Sequence, residues 1–193
     1  VEGLDLTPDA LPSPDFDPSL YRYGGADGDH DCGRLRFLRI EHAGRVPAVP
    51  GDLAGLTLAG CGDLTRVEFV QSHATRGDGI AVLGGSVSLR NLVATANGDD
   101  GLFWAGGWQG RAQFVIVMQY GGPAVGGRGI QGLNAEDDPD AEPRSDPLIF
   151  NATLVGPPSD ASTSELEGLL LHAGTAGRVQ NSLVFGFREA CLR

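Results

Sequence analysis

The sequence predicts an all-β fold, a single parallel β-helix solenoid of about five to six turns, from three observations. A glycine followed by alternating apolar residues recurs along the chain. A second apolar segment recurs out of phase with the first, and no helical period of any length lies between them. Strands this short cannot bury an apolar face alone, so each turn has to stack on the previous one, about 4.8 Å away.

Two sets of strands alternate along the chain. The first set follows glycines 24, 22, 28 and 39 residues apart: Gly55-Leu56-Thr57-Leu58, Gly79-Ile80-Ala81-Val82, Gly101-Leu102-Phe103-Trp104, Gly129-Ile130 and Gly168-Leu169-Leu170-Leu171. The second set is Phe37-Leu38-Arg39-Ile40, Val67-Glu68-Phe69-Val70, Leu89-Arg90-Asn91-Leu92-Val93, Phe114-Val115-Ile116-Val117, Ala152-Thr153-Leu154-Val155 and Gln180-Asn181-Ser182-Leu183-Val184. A leucine-rich repeat would need an L-x-x-L-x-L pattern, which is absent, and an antiparallel sandwich would need hairpin turns about every 8 to 12 residues.

Two segments fall outside the repeat. Residues 1–30 are rich in proline and aspartate and are predicted to form an extended segment or cap, which assigns 31–193 to the β-helix. The separation of 39 residues between Gly129 and Gly168 marks a long acidic loop insertion over 131–147. We expect this loop to be a lid, a partner-binding arm or a solvated excursion. The chain starts at Val1 without a leader, so we expect a removed leader or a longer parent polypeptide. Open solenoid edges predict a protein partner that covers the ends.

Composition restricts the classes of partner. The chain has a formal net charge of −11 and contains no lysine, so it repels phosphate backbones and a nucleic-acid role is not expected. No segment approaches the roughly 20 apolar residues that a membrane-spanning helix requires. Neither a nucleic acid nor a membrane span is therefore expected, and we expect the partner to be a surface polysaccharide or another protein.

The three cysteines bear on the register and on the location. Cys32 and Cys61 are 29 residues apart, the same spacing as Ile40 to Phe69, so they are expected to stack on neighbouring turns within disulfide reach. The alternative is a pair of reduced cysteines in an internal ladder. A Cys32–Cys61 bridge implies an extracytoplasmic location, whether secreted, periplasmic or on the outer surface. Cys191 is left over, and no C-x-x-C spacing supports a zinc or redox site.

Several segments resemble a known family. They are Tyr23-Gly24-Gly25, the run from Gly33 to Gly44, Gly55-Leu56-Thr57-Leu58, Asn97-Gly98-Asp99-Asp100-Gly101 and Pro143-Arg144-Ser145-Asp146-Pro147. Together they resemble the pectin-lyase-like secreted or surface proteins of bacteria, a largely uncharacterised group of right-handed parallel β-helices. The resemblance covers most of residues 21–187. It implies the fold, and it implies further strands ahead of Val1.

Aligning the turns by their glycines produces a column of polar residues just before the first set of strands. The column contains Ala54, Asp78, Asp100, Arg128 and Glu167, with Asp99 beside Asp100. Carboxylates one turn apart repel each other and require a cation or an arginine. Three interpretations follow: a structural salt bridge from Arg128, a calcium ion on the three aspartates completed by glycine carbonyls, or a catalytic carboxylate pair.

The enzymatic alternative has a definite form. Enzymes with this fold include calcium-dependent polysaccharide lyases, which use a lysine or arginine base, and glycoside hydrolases, which use paired aspartates. Without lysine, the lyase base would have to be Arg128 or Arg111, and a guanidinium stays protonated in proteins. A glycoside hydrolase would need Asp78, Asp99 and Asp100.

Aromatic and histidine residues complete the candidate set. Trp104 and Trp108 are candidate stacking platforms for a sugar, although Trp104 also continues an apolar strand and is expected to face the core. Trp108, in a glycine-rich turn, is the ring expected to be exposed. His42 and His73 fall one position out of register, His30 lies in an acidic loop, and His172 is expected to point outward. The sequence therefore favours a non-catalytic structural or binding module with no required cofactor. The alternative is a calcium-dependent polysaccharide lyase or glycoside hydrolase.

Overall fold

Two parallel sheets form the β-helix in the computed structural model, which describes residues 23–25, 27–44, 53–120, 127–157 and 167–193. Sheet A contains β1 (Arg34–Glu41), β3 (Arg66–His73), β5 (Ser88–Thr95), β7 (Arg111–Met118), β9 (Leu148–Val155), β11 (Arg178–Gln180) and β12 (Leu183–Phe185). Sheet B contains β2 (Leu56–Ala59), β4 (Ile80–Leu83), β6 (Leu102–Ala105), β8 (Ile130–Gly132), β10 (Glu167–Leu171) and β13 (Ala190–Leu192). The predicted all-β solenoid of five to six turns is confirmed, because β11 and β12 share the sixth rung of sheet A.

The glycines that precede the strands of sheet B allow the rungs to approach closely. A Cβ atom on Gly79 would lie 2.6 Å from the carbonyl oxygen of Gly101, and one on Gly129 would lie 2.5 Å from that of Gly168. Real Cβ atoms do not come so close to a carbonyl, so only glycine fits at this step of each turn. The repeated glycine in the sequence is thus a packing requirement of the stacked turns.

Apolar ladders fill the space between the two sheets. In sheet A the register aligns Val70 with Leu92 and Leu92 with Val115, and each of the three is at most 1% exposed. In sheet B, Ile80 and Leu102 form an equivalent ladder. Burying a side chain of this size contributes about 1.5 to 3 kcal/mol, which makes these ladders the main source of stability.

The predicted disulfide is present between Cys32 and Cys61, whose Cα atoms are 5.6 Å apart. It joins the segment before β1 to the turn after β2, and Cys61 lies in the core cluster. Cys191 is free and exposed. The bridge joins neighbouring turns as the cysteine spacing predicts, but the expected alignment of Ile40 with Phe69 is wrong, because Ile40 pairs with Ser72 in sheet A.

The segments outside the repeat differ in how far the structure describes them. Of the predicted cap, residues 1–22 and 26 lie outside the described residues. The connection from β8 to β9 begins after Gly132 rather than at Gln131, because both residues pair within sheet B. The buried Asn134 anchors the start of this connection, because its side-chain amide donates to the carbonyls of Pro139 and Ala141. No helix in the described part of the chain has the length and apolarity that a membrane crossing needs.

Candidate functional site

The predicted polar column forms where the chain passes from sheet A to sheet B. The amide of Gly55 donates to the carbonyl of Asp78, and the amide of Gly79 donates to the carbonyl of Asp100. The same step links Gly101 to Arg128 and Gly129 to Glu167 on the later turns. Successive turns therefore place Asp78, Asp100, Arg128 and Glu167 on neighbouring rungs, as the glycine alignment predicts.

Three carboxylates converge in this column. Asp78, Asp99 and Asp100 each offer an oxygen, and these oxygens lie within 4.8 Å of one another. Asp99 is exposed, Asp78 is half-buried and Asp100 is 1% exposed. The cluster spans the range from solvent to core, which is the arrangement that a hard cation or a shared proton could use.

The environment of Asp78 favours its protonated form. The pKa of this carboxyl is raised to about 8, mainly by burial and also by the neighbouring charges of Asp100 and Asp99. A hydrogen bond from the backbone amide of Asp100 to Oδ1 of Asp78, 3.1 Å long, offsets only part of that increase. At neutral pH the three aspartates therefore carry less negative charge than three ionised carboxylates would.

Arginines neutralise the rest of the column. The Arg128 amide donates to Oδ1 of Asp100 at 2.7 Å, and its guanidinium lies 3.9 Å from the same oxygen. Nε of Arg128 is 3.2 Å from Glu167, whose other oxygen is 3.1 Å from Arg193. Burial acts to raise the pKa of Glu167, but the two arginines outweigh it and the net shift is downward. The predicted ion pair between Arg128 and Asp100 is part of a longer ladder of alternating charge.

A second ladder of buried polar side chains supports these turns, and the sequence analysis missed it. Oγ1 of Thr75 donates to Oδ1 of Asn97 at 2.8 Å, and the amide of Asn97 donates to Oε1 of Gln119 at 3.1 Å. Nε2 of Gln119 then donates to the carbonyl of Asp99 at 2.7 Å. These residues come one or two positions after the end of β3, β5 and β7. This shared position in the sequence was the signal that could have predicted the ladder.

The two tryptophans are buried, and the expectation that Trp108 is exposed is wrong. Both rings are 0% exposed and pack edge to face with centroids 5.9 Å apart. Gly107 has a φ of +83°, and after this reversal the Trp108 ring lies in the core, where its Nε1 donates to the carbonyl of Val87. Trp104 faces the core as expected, and its Nε1 donates to Thr175. Neither ring offers a face on which a sugar could stack.

The remaining candidates lie apart from the carboxylates or have other roles. Arg111 begins β7 and pairs with Ser88 on sheet A, whereas the aspartates lie in the turn that leads to sheet B. His42 and His73 are offset by one position as predicted, and their rings meet edge to face with centroids 6.1 Å apart.

Two histidines lie elsewhere. His172 is half-buried and hydrogen-bonds Gln131 on the neighbouring rung, and His30 lies in an exposed loop. The column of aspartates and Arg128 is therefore the candidate site that the sequence and the geometry share.

Comparisons with known proteins bear on the whole solenoid. No curated protein and no solved structure gives a significant match to the chain. The family model of the pectate-lyase like beta helix domain matches residues 15–192. Since this match includes every rung of both sheets, the chain belongs to the pectate-lyase-like β-helix domain family.

Proposed function

We propose that this chain is a non-catalytic β-helix module that works outside the cytoplasm, with a structural or binding role toward a carbohydrate or another protein. The observation that carries the proposal is that the candidate catalytic groups hydrogen-bond and pair with one another between the stacked turns. Asp100 is buried and accepts the Arg128 amide, and Arg128 also pairs with Glu167. Groups held in this way are poorly placed to bind a substrate and move its protons.

The absence of lysine supports the same proposal. A lyase needs a base that accepts a proton near neutral pH, and arginine stays protonated in proteins. The guanidinium of Arg128, which lies beside Asp100, is engaged with two carboxylates. Before Arg128 could abstract a proton from a substrate, its ion pairs with Asp100 and Glu167 would have to break.

An extracytoplasmic location is supported by the disulfide. Disulfides persist in oxidising compartments and are rare in reducing ones, and the Cys32–Cys61 bridge joins neighbouring turns of the solenoid. Among the described strands, β1 and β2 at one end and β11, β12 and β13 at the other pair within their sheets on one side only, and a protein partner could cover these edges. A module of this kind would be a component of a surface assembly.

The test is an assay for degradation of polysaccharides by the purified chain. We expect no unsaturated products and no new reducing ends from polygalacturonate or from neutral polysaccharides, with or without calcium. The folded Asp100→Asn variant is the background control, because it removes the ionised carboxylate and keeps the shape of the side chain. Turnover by the wild type that Asp100→Asn abolishes would contradict the proposal.

A second candidate function is a calcium-dependent polysaccharide lyase or glycoside hydrolase. One observation favours it: three carboxylate oxygens lie within 4.8 Å of one another, in a cluster that runs from the exposed Asp99 to the buried Asp100. Calcium binds six to eight oxygens at about 2.3 to 2.6 Å, so this spacing fits. Asp78, Asp99 and Asp100 would hold the ion, which would neutralise their mutual repulsion. Calcium would then raise the melting temperature.

A further inference from the structure

Sheet A carries a charge opposite to that of the whole chain. Its strands contain seven of the 14 basic residues, all arginine, but only two of the 25 acids, Glu41 and Glu68, so their formal charge is +5. The whole chain has a formal charge of −11, which leaves −16 on the residues outside these strands. Sheet A is therefore a basic strip on an acidic molecule, the charge pattern of a surface that binds an anionic group.

Most of this positive charge lies in one column of the sheet. The register aligns one residue from each rung in the order Arg34, Arg66, Ser88, Arg111, Leu148 and Arg178. The residue that follows each of these positions packs against the core, so the column itself faces solvent. We call Arg34, Arg66, Arg111 and Arg178 the arginine column.

Three arginines of the column have no carboxylate partner among the described residues. Arg178 pairs with Asp146 at 3.3 Å, whereas the guanidinium of Arg66 donates only to backbone carbonyls. Arg34 and Arg66 nevertheless lie on neighbouring rungs, about 4.8 Å apart. Like charges at facing positions destabilise a sheet, so an anionic group bound across these two arginines would relieve their repulsion.

The same molecule carries an anionic segment of matching charge. The connection from β8 to β9 exposes five carboxylates within residues 136–142, which we call the acidic loop: Glu136, Asp137, Asp138, Asp140 and Glu142. Among the described residues, none of the five lies within ion-pair distance of an arginine. Asn134 holds the loop backbone through two carbonyls, and a segment fixed in this way loses little conformational entropy when it binds.

Within one chain, the acidic loop and the unpaired arginines lie at different levels of the column. The loop is followed by Leu148, which lies between Arg111 and Arg178 in the column. Arg66 and Arg34 are three and four rungs from Leu148, about 14 and 19 Å away. A two-fold axis that crosses the column would place the loop of each of two chains over Arg34 and Arg66 of the other, in a closed pair.

We propose that a second copy of this chain binds to sheet A, with the acidic loop of each copy lying on Arg34 and Arg66 of the other. The loop carboxylates accept charge-assisted hydrogen bonds from the guanidiniums, which are stronger than bonds between neutral groups. This exchange pairs charges that have no partner in the single chain, and it reduces the like-charge repulsion on both surfaces. The inference rests on the proposed binding role and names its protein partner and its surface.

The test is sedimentation equilibrium of the wild type and of two charge-reversed variants, Arg34→Glu/Arg66→Glu and Asp137→Arg/Asp138→Arg/Asp140→Arg. We expect the wild type to associate to twice its mass of 20.1 kDa. Each variant alone should associate at least about tenfold more weakly, because like charges then meet. An equimolar mixture of the two variants should recover the wild-type affinity, because each loop then meets arginines or glutamates of opposite charge.

The matched control is Glu189→Arg, which reverses an exposed acid outside both surfaces and should leave the association unchanged. Recovery in the mixture also shows that both variants are folded.

The outcomes separate this inference from the proposed module role. A wild type that stays monomeric at millimolar concentration would overturn the inference, and so would dimers that neither variant weakens. Binding of the monomer to phosphatidylserine vesicles, lost in Arg34→Glu/Arg66→Glu, would assign the arginine column to an anionic lipid surface and overturn it as well. The proposed non-catalytic role fails by polysaccharide turnover, which is a separate measurement.

Discussion

At the scale of single residues, Asp78 shows how the solenoid controls charge. It stands one rung from Asp100, and its carboxyl accepts the backbone amide of that residue. Burial and the two neighbouring aspartates raise the pKa of Asp78 to about 8, so the fold stabilises the neutral acid. A proton on Asp78 relieves the repulsion that the sequence predicts for this column, and Arg128 neutralises Asp100.

This state of Asp78 predicts a dependence of stability on pH. The pKa of the carboxyl is about 8 in the folded chain and near its ordinary value of 3.8 in the unfolded chain. Between these values the folded state binds more protons, so the free energy of unfolding falls as the pH rises. In Asp78→Asn this fall should be smaller, because an amide keeps the acceptor oxygen and does not ionise. Urea unfolding at pH 5 and pH 8 in chelator-containing buffer measures both.

The control for that experiment is Asp99→Asn, which removes an exposed carboxylate of the same cluster. Its loss of stability between pH 5 and pH 8 should remain closer to that of the wild type. A wild type and an Asp78→Asn variant that lose the same stability over this range would show that Asp78 is ionised in the folded chain.

At the scale of elements, the close packing of rungs depends on matching large and small residues on neighbouring strands. Trp104 of β6 is paired with Gly132 of β8, and a Cβ at that glycine would overlap the indole ring. Gly132 has no positive φ, so its role is steric rather than conformational. The pair places a whole indole in the core of a narrow solenoid.

We predict that Gly132→Ala destabilises the chain by about 1 to 3 kcal/mol, the usual cost of overpacking a core. Chemical denaturation measures the change. The matched control is Gly28→Ala, because a Cβ at Gly28 would meet nothing within 4 Å. Substituting Trp104 by leucine in the Gly132→Ala background should recover part of the loss. Equal stability of Gly132→Ala and the wild type would mean that the indole does not pack on Gly132.

At the scale of the whole molecule, the periodic parts of the structure were predictable and the irregular parts were not. The repeated glycine predicted the stacked turns of sheet B and the column of Asp78, Asp100, Arg128 and Glu167. The disulfide was predicted separately, from the 29-residue separation of its two cysteines. Periodicity carries this information because stacked turns repeat the same backbone step.

The direction of a side chain within a turn has no such period. The position of Trp108 depends on the reversal at Gly107, which produced the wrong expectation of an exposed ring. The bend that the long strands of sheet A share was also missed, because phenylalanine and asparagine adopt the same positive φ there without sharing a chemical type. It lies at Phe37, Phe69, Asn91, Phe114, Asn151 and Asn181. The sequence pattern of these strands shows only the alternation of apolar and polar residues on either side of the bend.

The central claim is that the aspartate column belongs to the architecture of the solenoid. The most direct test is thermal melting of the wild type and of Asp100→Ala, each with calcium and with chelator. We predict no calcium-dependent shift for either, and a lower melting temperature for Asp100→Ala in both buffers. Removing one partner of a buried ion pair costs about 3 kcal/mol or more, which corresponds to about 6 to 12 °C for a chain of this size. A calcium-dependent rise in the wild type that Asp100→Ala abolishes would contradict the claim and identify a cation site.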